Sequence, residues 1–198
     1  YWLSIAAKYP TTVEPQYPWG WKTRPRDLAS LAPDAAVRIF DPTAPIPGST
    51  YVNGAPIQDL DTDWDLAFEL TARSVIEDIK YEQPPEPDPA GGPCFYGWDE
   101  PSVYAWQQIV ADDWPCNDER PITDIHWWGS YVDWMDETPP PNAPDLFHIA
   151  IWTDVPVDPT NPWSHPGRVV WEAIVSRAQL NEHYVGCDQY PGHPIDAC

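Results

Sequence analysis

Short stretches in which large apolar side chains alternate with small or polar ones recur along the chain. Such period-two alternation predicts half-buried β-strands, and clusters of turn-forming residues separate the stretches every 8–15 residues or so, as expected for about eight or nine short strands. This pattern predicts an all-β protein with a β-sandwich or jelly-roll-like fold and Pro-rich loops. The predicted strands are residues 1–9, 17–24, 35–40, 50–52, 64–71, 104–110, 122–128, 147–152 and 169–174.

Proline shapes the rest of the pattern. The chain has 27 Pro among 198 residues, a content that opposes long helices, and only residues 171–180 are compatible with a short helix. One Pro- and Gly-rich segment predicts an extended connector over residues 73–93, which divides the chain into 1–72 and 94–198. The connector prolines are Pro84, Pro85, Pro87, Pro89 and Pro93.

The charge balance limits the partners. The chain carries 31 Asp and Glu against 10 Lys and Arg, a net charge of −21, which argues against nucleic acid and anionic membranes. No apolar stretch approaches the roughly 20 residues of a transmembrane helix, so no membrane span is expected. Metal cations, basic proteins and neutral glycans stay compatible with this charge. Aliphatic residues are scarce, and 13 Trp and 10 Tyr are expected to supply the core.

Four cysteines and a single Met predict an oxidised protein, outside the cell or at its surface. Four cysteines allow three pairings. The two local pairings are favoured, Cys94 with Cys116 and Cys187 with Cys198, and each is expected to stabilise the fold by roughly 2–4 kcal/mol. The absence of a Cys-x-x-Cys pair argues against structural zinc.

Asp59, Asp61, Asp63 and Asp65 recur at every second position, so an extended backbone would place four carboxylates on one face. Their mutual repulsion favours a bound cation, and calcium is therefore the one candidate cofactor. Trp64 and Leu70 occupy the positions where an EF-hand loop needs Gly and Glu, which excludes an EF-hand. The alternative is a solvated acidic turn.

Several tryptophans are candidates for an interface between repeats or for a platform that stacks sugars: Trp98, Trp127, Trp128 and Trp134. A glycosidase would also need two carboxylates across a cleft. The acids that qualify are Glu100, Asp112, Asp113, Asp133, Glu137 and Glu172. With so many acids such a pair arises by chance, and no nucleophile motif occurs, so no enzyme activity and no catalytic residue are predicted. His126 and His148 lie in apolar strand patterns and are expected in the core or an interface.

Six phrases together resemble an uncharacterised β-rich domain family of large secreted proteins of environmental bacteria, which often carry several copies. The phrases are residues 1–5, 17–24, 80–85, 125–130, 147–156 and 164–167. The resemblance implies a β-rich extracellular domain and supplies no catalytic role or cofactor.

The order of these phrases is reversed relative to the family pattern. The resemblance therefore implies that residues 1–72 are the C-terminal-like half of one repeat and residues 94–198 the N-terminal-like half of the next, so that the sandwich is split across neighbouring repeats. Copies of the protein would then assemble head to tail into an extracellular filament. Two alternatives are one circularly permuted domain and, for function, a secreted glycan-binding module.

Overall fold

The computed structural model describes residues 1–10, 14–39, 54–73, 77–104 and 108–192. These residues form 16 β-strands and one short 3-10 helix, Arg177–Gln179. The predicted all-β fold is therefore confirmed, and its antiparallel sheets are compatible with a β-sandwich. The strands are β1 Trp2–Lys8, β2 Trp19–Pro25, β3 Val37–Ile39, β4 Gly54–Pro56, β5 Gln58–Asp59, β6 Thr62–Leu66, β7 Phe68–Arg73, β8 Glu77–Gln83, β9 Cys94–Tyr96, β10 Asp99–Pro101, β11 Ile109–Asp113, β12 Asp124–Trp127, β13 Gly129–Tyr131, β14 Leu146–Val155, β15 His165–Ser176 and β16 Cys187–Gln189.

The largest sheet has six strands in the order β15-β14-β1-β11-β3-β4. Its central strand β1 is buried on both faces: Leu3 and Ile5 face one apolar cluster, and Trp2 and Ala6 face another. The prediction of a strand here is therefore confirmed, but the prediction that it is only half-buried is wrong. A strand covered on both sides reads as a continuous run of buried residues, which is what residues 2–7 show.

A second sheet is organised by β2. The first part of β2 pairs with β10 and β13, and the last part of β2 pairs with β6, which in turn pairs with β5. Gly20 makes the close approach of β10 feasible, since a Cβ there would lie 2.8 Å from the Cβ of Asp99. A three-stranded sheet, β12-β7-β8, and the parallel pair β16-β9 complete the described strands.

The two chain segments on either side of the predicted connector pair with each other. Strand β1 of the first segment lies between β14 and β11 of the second, and β2 likewise pairs with β10 and β13. The described residues of the predicted connector 73–93 also include regular structure. Its first part contains β8, which pairs antiparallel with β7, and its prolines follow this strand in a segment where Pro87 bridges Phe95.

Strands β14 and β15 form a long hairpin at one edge of the six-stranded sheet. The segment 171–180, predicted as a short helix, continues β15 as far as Ser176 and only then forms the 3-10 turn. A capping box starts this turn: the Ser176 hydroxyl accepts a hydrogen bond from the Ala178 amide, and the Gln179 side chain accepts one from the Ser176 amide. The predicted strand at 50–52 lies outside the described residues.

Candidate functional site

An open groove of about 740 Å³ lies beside β12 and β13. Three segments line most of it, within residues 124–131, 136–139 and 179–185. Trp127 and Trp128 contribute partly exposed rings, and Trp19 and Phe147 form part of the floor from the core. A concave surface with aromatic rings and a few convergent polar groups is the usual form of a small-ligand site.

Glu182 fixes the wall formed by residues 179–185. Its carboxylate accepts a hydrogen bond of 2.8 Å from the Tyr131 hydroxyl and one of 2.7 Å from Nε of Arg177. Burial, together with the neighbouring Glu182 carboxylate, raises the pKa of the Tyr131 hydroxyl far above its usual range, so this phenol stays a hydrogen-bond donor. The wall is therefore attached to β13 although it has no regular secondary structure of its own.

A tight turn fixes the loop that contains residues 136–139. The indole Nε1 of Trp134 donates to the carbonyl of Thr138 over 2.7 Å, and the Asp136 carboxylate accepts hydrogen bonds from the amide and hydroxyl of Thr138. Those bonds lower the pKa of Asp136. The Trp134 ring contacts Tyr17, with centroids 4.8 Å apart. Trp134 therefore holds the loop and is not among the lining side chains.

The groove carries more acids than cations. Asp124, Asp136, Glu137 and Glu182 contribute carboxylates, whereas Arg177 contributes one guanidinium that Glu182 already binds. Such a surface disfavours phosphate or carboxylate ligands and is compatible with a neutral ligand that offers hydroxyl groups and an apolar face. His126 also lines it and is exposed, so His126 does not lie in the core, and its predicted alternative position in an interface stays a prediction.

Trp98 does not belong to the groove. Its side chain is 5% exposed, its ring contacts Trp64 with centroids 4.7 Å apart, and its Nε1 donates to Glu100 over 3.0 Å. The expectation of an exposed platform at Trp98 is corrected by this burial. Of the four predicted tryptophans, the structure brings Trp127 and Trp128 together in one groove and places Trp134 beside it.

The four alternating aspartates do not share one face. Leu60 and Asp61 form a tight turn with φ values of 47° and 63°, so Asp59 lies on β5 and the last two lie on β6. Asp59 accepts from the Tyr190 hydroxyl over 2.6 Å, and Asp63 pairs with Arg26 over 2.5 Å. The described residues hold no group of three or more candidate metal ligands. Calcium binding stays a prediction.

Asp65 is buried with two other acids. It and Asp112 are 2% and 1% exposed, and the Asp112 carboxylate accepts hydrogen bonds from the Leu66 amide and the Gln83 side chain. Burial raises the pKa of Asp65 to about 7 and that of Asp113 to about 8, with mutual repulsion adding to the shift of Asp113. Such acids are protonated near neutral pH, which makes them poor cation ligands.

Two further acids that qualified for hydrolysis are held in pairs elsewhere. Arg38 donates to both oxygens of Glu100, over 2.6 and 2.9 Å. Glu172 contacts Nε2 of His148 over 3.0 Å, and His148 is buried as predicted. Desolvation lowers the pKa of this histidine, against the pull of Glu172. Neither pair opens onto the groove.

The family model described as a domain of unknown function, DUF7901, matches residues 1–71 and 79–196. The chain belongs to the DUF7901 family. No curated protein and no solved structure matches it.

The disulfide of this DUF7901 domain joins Cys94 to Cys187, with their Cα atoms 4.4 Å apart. The predicted local pairings are therefore wrong, because parallel pairing of β9 with β16 brings together two residues 93 positions apart, a contact that spacing does not reveal. Cys116 is exposed and forms no disulfide within the described residues, while Cys198 lies outside them.

Sequence reasoning missed the groove wall at residues 179–185. This segment of the DUF7901 domain lacks strand or helix periodicity, and only the neighbouring ring side chains of His183 and Tyr184 gave a signal. Within the described ranges, no helix is long and apolar enough to cross a membrane.

Proposed function

We propose that the protein is a non-enzymatic structural unit that works outside the cell and associates with further copies of itself into a filament. The observation that carries this proposal is the edge strand β15. It is 12 residues long, it ends the six-stranded sheet, and within the described chain it pairs with β14 alone. An edge strand offers unpaired backbone groups to any other strand.

The side chains of β15 support this role. Val170, Trp171 and Ile174 are 44%, 47% and 57% exposed. Large apolar residues that are exposed on a free edge strand favour association with another chain. A register shift beside Val170 leaves Trp171–Ser176 as the regular part of the strand. Natural monomeric proteins usually protect such an edge with Lys, Pro or a short strand. The regular part, Trp171–Ser176, has neither Lys nor Pro, whereas Pro166 and Arg168 lie in the first part of β15.

The charge distribution favours a second copy of the chain as the partner. Copies with a net charge of −21 repel each other over most of their surface. Residues 169–176 contain a single charged side chain, Glu172, which is paired with His148. Contact along β15 therefore brings few like charges together. Salt that screens the remaining repulsion is expected to promote assembly.

A filament also requires a second contact surface on each copy, because one self-complementary contact closes into a dimer. Among the described strands the other edge of the sheet is β4, which is short and ends at Pro56 and is therefore a poor acceptor strand, so the second contact is expected outside this sheet edge. Extracellular placement is supported by the Cys94–Cys187 disulfide.

Sedimentation velocity and electron microscopy of the purified protein test this proposal at low and moderate salt. The wild type is expected to form filaments, and Trp171→Lys or Ile174→Lys should reduce them to monomers. Leu28→Lys is the matched control, since Leu28 is 76% exposed but lies away from β15. Wild-type monomers at all concentrations contradict self-association. Dimers that do not grow contradict the filament.

The groove supports a second candidate, binding of a neutral glycan. The observation is the combination of the partly exposed Trp127 and Trp128 rings with Tyr184, which is 42% exposed. Stacking on such rings and hydrogen bonds to polar side chains are the contacts that a sugar needs.

Calorimetric titration with neutral oligosaccharides tests glycan binding. Tyr184→Ala is expected to weaken binding at least several-fold. Tyr1→Ala is the control, because Tyr1 is equally exposed, at 48%, but stacks on Trp114 away from the groove. An equal loss in both variants, or no binding of any oligosaccharide, contradicts this candidate.

A further inference from the structure

Three ionisable side chains meet in the interior, away from the groove and from β15. Lys22 of β2 and Asp188 of β16 are 0% exposed, and Asp99 of β10 is 3% exposed. Nζ of Lys22 lies 2.7 Å from Oδ1 of Asp188. The Asp188 carboxylate is also close enough to Asp99 to raise the pKa of Asp99 further, after the larger effect of burial.

The backbone arranges these groups. Asp99 is the cross-strand partner of Lys22 in the β2–β10 pair. Asp188 follows Cys187 directly, so the disulfide to Cys94 fixes its position. Gly97, with a φ of 118°, keeps space for the amine: a Cβ there would lie 3.2 Å from Nζ of Lys22 and 2.8 Å from the Thr23 carbonyl oxygen.

This arrangement is costly as an ion pair. Two charged groups removed from water lose their hydration, and their attraction repays the loss only when further hydrogen bonds satisfy them. Among the described acidic side chains, Asp188 is the one that forms an ion pair with Lys22. An amide between the same two groups carries no charge, so its formation would remove both buried charges at once.

We propose that the folded protein joins Nζ of Lys22 to the side-chain carboxyl of Asp188 in an intramolecular amide bond. The ammonium of Lys22 first passes one proton to the carboxylate of Asp188, and Nζ, now the neutral amine, attacks Cγ of Asp188. One C–O bond of that carboxyl breaks as the C–N bond forms, and the oxygen leaves as water. The balance is one ammonium and one carboxylate converted to one amide and one water, with no oxidant, reductant or cofactor.

Asp99 supplies the proton transfer. Burial, and secondarily the neighbouring Asp188, raises the pKa of Asp99 well above its usual range, so this group holds a proton at neutral pH. It donates that proton to the departing oxygen of Asp188 and recovers one from the attacking nitrogen. Ser130 donates a hydrogen bond to Oδ2 of Asp99 and positions it.

The surroundings favour the reaction. An amine already in contact with the carboxyl group has lost the entropy that makes the same reaction slow in solution. Complete burial also excludes the bulk water that would drive the amide back to the acid. The bond would link β2 to β16. The proposal of this bond does not depend on whether the protein forms filaments.

The mass of the denatured, fully reduced wild-type protein is the first test. It is expected to fall short of the sequence mass by one water. Trypsin should then release residues 9–26, uncut at Lys22, joined to residues 178–198. The full sequence mass, with residues 9–22 released as a separate peptide, would overturn the proposal. So would a missing water without joined peptides, since that indicates dehydration at another aspartate.

Two variants separate the chemistry from folding. Lys22→Arg keeps the positive charge but removes the amine, and Asp99→Asn keeps both joined residues but removes the transferable proton. Both are expected to show the full mass. Retention of the cross-link in Asp99→Asn would contradict the role of Asp99.

Lys80 and Asp118 provide an internal control. Their ion pair is even shorter than that of Lys22 and Asp188, at 2.5 Å, and the Lys80 side chain is 3% exposed, but that of Asp118 is 35% exposed. Hydrogen bonds from Arg120 and Lys80 lower the pKa of Asp118, so it stays a carboxylate. Trypsin should therefore cut after Lys80 in every variant.

Discussion

Cys94 of β9 and Cys187 of β16 lie directly opposite each other in a parallel pair of strands, and their disulfide closes a loop of 93 positions. Replacing both with Ala is expected to lower the free energy of unfolding by about 2–5 kcal/mol, because the unfolded chain regains the freedom that the loop removes. Urea denaturation followed by Trp fluorescence measures this loss.

Cys116→Ser is the control for the disulfide, since Cys116 is exposed, forms no disulfide within the described residues, and donates a hydrogen bond of 3.4 Å from Sγ to the Asp118 carbonyl that Ser can replace. Its effect should stay within about 0.5 kcal/mol. The double Ala variant should also lose more stability in a Lys22→Arg background, where no amide holds β16. Equal losses in both backgrounds would argue that the amide and the disulfide do not restrain the same strand.

The buried acids predict an unusual pH dependence of stability. The pKa of Asp65 rises from 3.8 to about 7 on folding and that of Asp113 to about 8, so between pH 4 and 8 the folded state binds more protons than the unfolded state. The free energy of unfolding should therefore be highest near pH 4 and fall as the pH rises to 8. Each unit of pKa shift corresponds to about 1.4 kcal/mol.

Asp65→Asn isolates one of these acids. The amide cannot ionise, so this variant should match the wild type near pH 3 and exceed its stability at pH 8 by about 4 kcal/mol. Asp61→Asn is the matched control, because Asp61 is exposed in the turn and Asn adopts its positive φ equally well. Urea denaturation at the two pH values gives the comparison. Parallel pH profiles of the Asp65 variant and the wild type would refute this account.

Gly129 is required by the close packing of β13 on β2. A Cβ at Gly129 would collide with the Gly20 carbonyl oxygen and come within 2.6 Å of the Trp19 ring. Gly129→Ala should therefore cost about 3 kcal/mol. Gly91→Ala is the comparison, since its φ of 80° is strained for Ala but no atom lies within 4 Å, and its cost should be about 1–2 kcal/mol. Thermal melting ranks the two, and the reverse ranking would contradict the packing argument.

Glu100 is expected to matter for stability and not for catalysis. Glu100→Ala leaves Arg38 and the Trp98 indole without their acceptor, at a cost of about 3 kcal/mol, the lower end for buried pairs because Arg38 is 24% exposed. Glu86→Ala removes an acid that pairs with Arg24 but is 46% exposed, and should cost at most about 1 kcal/mol. Chemical denaturation gives the free energy of unfolding of both variants. Similar losses of this free energy would show that the burial of Glu100 does not strengthen its contribution to stability.

Local patterns were enough to predict several of the strands but not their partners. Alternation at 147–152 and 169–174 located β14 and β15, because side-chain period is a local property. Strand pairing depends on contacts far apart in sequence. The prolines after Gln83 led to the prediction of a connector over a range that includes β8. Strand β8 was missed because composition does not reveal its pairing with β7.

The candidate site was predictable only in part. Trp127 and Trp128 were identified because adjacent residues of a strand point to opposite faces, so one must be accessible. Trp98 is a tryptophan like Trp127 and Trp128 but is buried, because the rings of Trp64 and Tyr190 cover it. Lys22, Asp99 and Asp188 come from three strands that meet only after folding, and no spacing connects them.

The link at Cys94–Cys187 also decides how the domain would carry a mechanical load. Tension applied at Tyr1 and at Gly192 would pass along residues 1–94, cross the disulfide and leave through β16, so residues 95–186 could not be extended by it. An amide between Lys22 and Asp188 would shorten the loaded path to residues 1–22 and 188–192. The first element to be sheared would then be β1, the strand held between β11 and β14.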